Sequence, residues 1–273
     1  MILSAENIEV SFRKERQTCI FGRERQQVVR DVSLEIERGE CFALVGESGS
    51  GKSTLGRVLC GLQRPEVGRV MIDGLDLYGR HSVAERKRLR HKISIVFQDY
   101  TTSVNPRFRV REIVGESLRA LAIAGKPVDR EKRTAELLEM VGLDRTHADR
   151  YPHELSGGQL QRVCIARAVA IEPEIIVLDE AISSLDASTQ VQVMDLLIEL
   201  RNEQRFSYLF ITHDLTAVTY MCDRVAFFAG GRIVEMVEDM ARLSRVKSEY
   251  ARRLLDSVIG IEGMEDDVEK KAG

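Results

Sequence analysis

Residues 41–55 read Cys41-Phe42-Ala43-Leu44-Val45-Gly46-Glu47-Ser48-Gly49-Ser50-Gly51-Lys52-Ser53-Thr54-Leu55. The first five are apolar without alternation, which predicts a strand covered on both faces, as in a parallel sheet. Gly46–Ser53 then satisfies G-x-x-x-x-G-K-[ST], and Leu55–Leu62 continues with helical apolar spacing. Glycines in such a turn let backbone N–H groups close around phosphate oxygens, and the helix behind adds its positive end. Lys52 is expected to reach the β- and γ-phosphates of ATP, and the Ser53 hydroxyl to ligate Mg²⁺. Thr54 is the neighbouring hydroxyl, but the motif spacing selects Ser53 for the metal. The candidate nucleotide cradle is therefore Gly46, Glu47, Ser48, Gly49, Ser50, Gly51, Lys52, Ser53 and Thr54. A purely structural Gly-rich turn would not need both the preceding strand and the following helix.

Three more unbroken apolar runs follow, at Ile93–Phe97, Ile175–Leu178 and Tyr208–Ile211. Each leads straight into polar residues: QDY, DEAISSLD and THD. Ligands of open α/β sheets bind beyond the carboxyl ends of the strands, so four polar segments are expected to converge on one site. Asp179 and Glu180 end the second of these runs. Two carboxylates at the tip of an apolar strand are costly unless a cation or a reacting water justifies them. Asp179 would support the Mg²⁺ shell, and Glu180 would take a proton from the attacking water. Alone this acid pair is a weak signal; downstream of the glycine-rich loop it is a strong one.

Away from the site, Ile8, Val10 and Phe12 alternate with polar residues, as do Val32, Leu34 and Ile36. This period of two predicts half-buried antiparallel strands, joined by a long polar loop over residues 13–27. From Gln98 to about Ile171 the periodicity is helical, with segments Val110–Ala124, Arg130–Val141 and Gln159–Ala170. A helical block over about 99–171 is thus expected inside the sheet domain. A hairpin, Val225–Phe228 with Ile233–Val237, closes the core, and the last dozen residues, EGMEDDVEKKAG, are expected to be a disordered tail. No internal repeat is present.

A chain of 273 residues suits one large α/β domain with a tail. The net charge of −3 excludes a whole-protein attraction to nucleic acid or anionic lipid, so no nucleic-acid partner is expected. The basic run Arg86–Lys92 reads as a solvated helix face. No apolar run reaches the roughly 18 residues of a spanning helix, and the start, MILSAENIEV, lacks signal-peptide character. The expectation is a cytosolic chain that reaches a membrane only through partners. Cys19, Cys41, Cys60, Cys164 and Cys222 form no C-x-x-C pair and read as buried free thiols.

Leu155-Ser156-Gly157-Gly158-Gln159 is a second glycine-rich helix start, with Ser156 a good N-cap. By itself it reads equally well as a capped helix or as an anion site. Together with the loop at Gly46–Ser53, it resembles the nucleotide-binding domain of the ABC ATPase family over roughly residues 1–245. The resemblance implies a P-loop NTPase fold: a RecA-like parallel sheet with an antiparallel β subdomain and an inserted α-helical subdomain, residues 246–273 being a C-terminal extension. It also implies two such domains head to tail, each ATP lying between one subunit's P-loop and the other's Ser156, Gly157, Gly158 and Gln159. By the same resemblance, Gln98 touches Mg²⁺ or water and links the site to membrane subunits. Asp186, in Ser183-Ser184-Leu185-Asp186, reaches across the dimer, and His213 contacts the γ-phosphate and the attacking water. Phe12 stands where the family stacks an aromatic ring on adenine, although an alternating strand residue can also be core. Gln161 and Arg162, after the Leu155–Gln159 stretch, read as an exposed part of the helix it starts and carry no assigned role.

The stretch Thr101–Val114, TTSVNPRFRVREIV, is similar to the peptide/nickel importer branch. SGGQLQRVCIARA and LDEAISSLD most resemble its nickel-import type, and nickel is the expected cargo, with dipeptides or oligopeptides the alternative. Tyr250–Leu255, YARRLL, is a weakened form of that branch's C-terminal motif. The implied partners are a second, similar ATPase, two transmembrane permeases and an extracytoplasmic solute-binding protein, at the cytoplasmic face of the cell membrane. A non-transport ABC ATPase would show tandem nucleotide sites or sustained heptads, and neither is present. An export ATPase is disfavoured by the NPRFRV segment. His147 and His153 lie close in sequence but lack the further ligands a nickel site needs.

Overall fold

The computed structural model of the chain describes residues 1–13, 25–123 and 129–257. The alternating N-terminal pattern forms an antiparallel sheet. β1 (Leu3–Arg13) and β2 (Arg25–Ile36) pair from Leu3↔Ile36 to Arg13↔Arg25, through several register shifts. β3 (Cys41–Val45), α1 (Lys52–Leu59), β4 (Val67–Ile72) and β5 (Leu75–Asp76) follow. β4 and β5 complete this first sheet in the order β2-β1-β4-β5. The apolar pattern did not mark that last hairpin. Its turn is Asp73-Gly74 with φ of 49° and 74°, the paired left-handed conformation that suits a tight hairpin.

The second sheet is built from the continuous apolar runs. α2 (Val83–Lys92) leads into β6 (Ile93–Val96), and α3 (Val110–Ile123), α4 (Arg130–Met140) and α5 (Gly157–Val169) come next. β7 (Ile175–Asp179), α6 (Ala187–Gln204), β8 (Ser207–Thr212), α7 (Leu215–Met221), β9 (Arg224–Ala229) and β10 (Arg232–Val237) complete the order. The strands lie β10-β9-β3-β8-β7-β6, parallel throughout except for β10. Every residue of β3, β7 and β8 is buried, as covering on both faces requires. Cys41, Ala43 and Val45 face a core shared with α3–α7, while Phe42 and Leu44 face a core shared with β1, β2, β4 and α1. The central sheet is therefore sandwiched between the helical block and the antiparallel sheet. Each fully buried Leu, Ile or Phe there stabilises the fold by about 1.5–3 kcal/mol.

Some expectations need correction. β6 is an edge strand bonded only to β7, so Ser94 and Ile95 are only partly covered. The closing hairpin extends the parallel sheet, because β9 also pairs with β3. The basic run is helical, with a Ser82–Glu85 capping box, but Lys92 is not on a solvated face. Its buried ammonium sits 2.5 Å from Asp73 and also bonds Glu174, tying the β4–β5 turn to the start of β7. Cys41, Cys164 and Cys222 are buried free thiols and Cys60 is partly buried; Cys19 lies outside the described residues. So do residues 14–24 of the long polar loop, and the last dozen residues expected to be disordered.

Candidate active site

Four strand ends deliver the site. At the end of β3 the chain turns into the glycine-rich loop under tight steric control. A Cβ at Gly46 would stand 2.1 Å from the Phe228 carbonyl oxygen. Gly51 has φ 108° and precedes α1 as its N-cap with no side-chain cap, so the first N–H groups of the helix have no cap from the chain. The Ser50 hydroxyl is buried without a hydrogen-bond partner. A phosphate-bearing ligand would satisfy these groups together, and among the described residues the Ser50 hydroxyl has no partner.

Lys52 is buried at the start of α1. Its ammonium donates to the Gly46 carbonyl at 2.7 Å and to the Glu47 carbonyl at 2.8 Å. An ammonium carries three donors, so one is left for a phosphate oxygen. Burial pulls this lysine below its usual range, opposed by the nearby charges of Glu180, Asp179 and Glu47. Ser53 Oγ donates to Asp179 Oδ1 at 2.9 Å, which places β7's last residue against α1. Burial pushes the Asp179 carboxyl above the usual carboxylate range, and the Ser53 hydrogen bond works against that shift. A hydroxyl and a carboxylate in contact, both with oxygen donors, are a donor set that fits Mg²⁺.

Glu180 is buried and has φ 48°, a strained conformation for a residue with a side chain. The turn that follows holds it there: Ser183 N–H and Oγ both donate to the Glu180 carbonyl, at 3.2 and 2.9 Å. Gln98 Nε2, just beyond β6, donates to Glu180 Oε2 at 2.8 Å. His213 Nδ1, beyond β8, lies 3.8 Å from Glu180 Oε1. Lys52, Ser53, Gln98, Asp179, Glu180 and His213 are thus brought together by four separate strands.

The other predicted residues lie elsewhere. Ser156 is exposed and engaged within its own helix: its Oγ accepts from Gln159 N–H at 3.3 Å, while its N–H donates to Gln159 Oε1 at 3.0 Å. Gly157 and Gly158 also permit close packing, since a Cβ at either would stand 2.8 Å from Tyr100 Oη or 2.5 Å from Thr189 Cγ2. Asp186 caps α6 through Thr189 N–H and accepts from the Ser188 and Thr189 hydroxyls, which hold it well below the usual carboxylate range. Phe12, opposite Gln26 on β1, is 44% exposed, so it is not core. Thr54 lies on the first turn of α1, beside Ser53. Among the described residues no cluster of three or more His, Cys, Asp or Glu could hold a metal ion, and His153 stacks on Tyr151.

Two contacts were not foreseen. The Arg167 guanidinium donates to the Ser103 carbonyl at 2.6 Å, fastening α5 to the segment that follows Gln98. The Tyr250 hydroxyl accepts from Glu47 N–H at 2.8 Å, bringing the C-terminal motif onto the glycine-rich loop. An arginine in an otherwise apolar helix stretch, and a tyrosine in a motif of no known role, were the available signals.

A glycine-rich loop between strand and helix, and paired acids at the end of β7, one strand removed from β3, define a P-loop nucleoside-triphosphatase. A family model described as ABC transporter matches residues 29–183. The metal-staphylopine import system ATP-binding protein CntF of Staphylococcus aureus is 42% identical over 256 residues, covering 93% of this chain and 98% of that protein. The oligopeptide transport ATP-binding protein OppF of Bacillus subtilis is 42% identical over 243 residues, 89% and 80% of the two chains. A putative peptide import ATP-binding protein of Brucella abortus is 46% identical over 239 residues, 87% and 71% of the two. A solved dimeric ATP-binding cassette in a post-hydrolysis state, bound to ADP and Pi, superposes with a TM-score of 0.73 at 30% identity, covering 86% of this chain and 98% of that one. The chain belongs to the ABC transporter family and is an ATP-hydrolysing enzyme of that class.

Proposed function

We propose that this chain is the ATPase subunit of an importer, working as one of a head-to-tail pair. The observation that carries the reading is the convergence of Lys52, Ser53–Asp179 and Gln98–Glu180–His213 at four strand ends. The triphosphate lies along Gly46–Thr54, with the third N–H of Lys52 on a β- or γ-phosphate oxygen. Ser53 and Asp179, with Gln98 nearby, would hold Mg²⁺, which when bound would supply positive charge against the transferring phosphoryl group. The Glu180 carboxylate takes a proton as the water oxygen bonds to the γ-phosphorus and the bond to the β-phosphate oxygen breaks. His213 orients that water. Phe12, exposed on β1, stacks on adenine.

The second half of the site comes from the partner: Ser156, Gly157, Gly158 and Gln159 close over the nucleotide, and Asp186 meets the facing subunit. Two membrane permeases and an extracytoplasmic solute-binding protein complete the complex, with this chain at the cytoplasmic face. Among the described residues no helix is long and apolar enough to cross a membrane, which fits a subunit that needs such partners.

For the cargo we infer nickel, free or chelated; the relative named for metal-staphylopine import supports a metal-chelate route. A second reading, dipeptides or oligopeptides, is favoured by the two relatives named for peptide import. Cells carrying Glu180→Gln are expected to lose nickel uptake while growth on dipeptides is unaffected. Loss of dipeptide use with nickel uptake intact overturns the nickel reading and leaves the ATPase mechanism standing.

A further inference from the structure

The peptide group joining Gly46 to Glu47 is held at both ends. Its carbonyl oxygen accepts the Lys52 ammonium at 2.7 Å, and its N–H donates to the Tyr250 hydroxyl at 2.8 Å. A peptide group is planar and rigid, so fixing the N–H fixes the direction of the carbonyl. We propose that Tyr250 is a positioning residue for nucleotide binding, orienting this peptide so that the Lys52 ammonium is aimed before ATP arrives.

The tyrosine is itself on a firm support. It lies on the C-terminal helix, residues 249–257. The carboxylate of Glu235 on β10 accepts the N–H groups of Lys247 and Ser248 at 2.7–3.0 Å, and Ser248 Oγ accepts from Ala251 N–H at 3.3 Å. Ala251 is fully buried, and Tyr250, Leu254 and Leu255 pack on the core beneath the helices. The hydroxyl therefore projects from an ordered element onto an exposed loop. This contact comes from beyond the closing hairpin, so docking of the C-terminal helix would be felt at the nucleotide. Tyr250 touches no reacting atom. Its removal disorders the loop before binding and leaves the chemical step as it was, because the bound triphosphate then holds Lys52.

The inference rests on the nucleotide reading of the glycine-rich loop, and the test separates the two. Tyr250→Phe keeps the ring and its packing and deletes only the oxygen. In the purified full-length chain, amide hydrogen exchange over residues 46–51 is expected to rise at least tenfold. ADP and non-hydrolysed ATP analogues are expected to bind about threefold to tenfold more weakly, the range for one lost hydrogen bond. In the assembled complex KM for ATP rises by a similar factor, kcat stays within twofold, and the melting temperature is unchanged. Unchanged exchange overturns the proposal, as does faster exchange with unchanged affinity, or a fall in kcat without a rise in KM. Tyr250→Leu, which keeps an apolar side chain but no hydroxyl, must behave as Tyr250→Phe does; nucleotide affinity restored to wild type in it also overturns the proposal. Lys52→Ala is the control: if it too binds nucleotide normally, the loop reading itself fails.

Discussion

Glu180→Gln removes one proton acceptor and almost nothing else. The glutamine carbonyl can still accept from Gln98 Nε2, where the 2.8 Å bond now exists, and Ser183 bonds only to the backbone of residue 180. The φ of 48° is unchanged in cost, since both side chains are alike and unbranched at Cβ. The fold should therefore melt within about 2 °C of wild type, a shift that corresponds to about 1 kcal/mol for a chain of this size. Nucleotide affinity is set by the loop and Lys52, on which Glu180 acts through its charge. Neutralising a carboxylate beside a triphosphate tightens binding if it changes it at all. The chemical step is different. A positioned general base contributes about 10²- to 10⁴-fold, so kcat should fall at least 100-fold, or about 3 kcal/mol of barrier. Steady-state phosphate release by the assembled complex, with analogue affinity and melting temperature measured on the same preparation, isolates the effect. A kcat within fivefold of wild type removes Glu180 from the mechanism. An equal loss of affinity or melting temperature shows that the substitution damaged the site, and refutes the claim that the carboxylate acts only on the proton.

Lys52→Ala should lower kcat/KM by at least 100-fold, because the one preset cation of the loop is lost; a coupled phosphate-release assay on the folded variant checks it. Ser156→Arg should leave nucleotide binding to the isolated chain within threefold and abolish hydrolysis by the pair, as followed by analogue titration and phosphate release. Asp179→Asn should raise the melting temperature of the cation-free chain at pH 7 by about 1–3 °C while abolishing Mg²⁺-dependent turnover. The sign follows from its raised folded pKa: cation-free stability is greatest with the carboxyl protonated and is lost as pH rises through that pKa. Scanning calorimetry between pH 4 and 8, flatter in the variant, tests it.

The central sheet was legible because its strands are buried on both faces. Tyr208–Ile211 and Ile175–Leu178 have no polar position, and no other element accommodates such short continuous runs between polar turns. β4 and β5 were hidden because β4 starts exposed, with Val67, Gly68 and Arg69 all open to solvent, so its apolar signal is only the short run Val70-Met71-Ile72. The Asp73-Gly74 turn was the readable clue. Lys92 was misread for a different reason. Its place in a basic run says exposure, whereas its partners Asp73 and Glu174 lie 19 and 82 residues away in the chain. Long-range ion pairs leave no local periodicity. Tyr250 and Glu47, 203 residues apart, were unreadable as a pair for the same reason.

The two glycine-rich helix starts differ in a way that sets the order of events. At the first, the helix has no cap and the buried Ser50 hydroxyl has no partner, so the protein alone leaves polar groups that are expensive to keep unsatisfied. At the second, Ser156 and Gln159 cap each other at the solvent-facing helix start, and the unpartnered amide on that helix, Gln161, is fully buried rather than exposed as the sequence suggested. An anion drawn from water gains most where donors are orphaned and preset, and least where they are already bonded or hydrated. On the head-to-tail reading proposed above, nucleotide would fill the loop at Gly46–Ser53 first, and the Ser156 helix would become an anion site only once the triphosphate is fixed on the facing subunit. The same logic explains why Glu180 rests on Gln98: the carboxylate is satisfied by a neighbouring amide, and on the proposed mechanism it would be available to water only once that bond is released. Binding, closure and proton transfer are then ordered by which polar groups are satisfied at each stage.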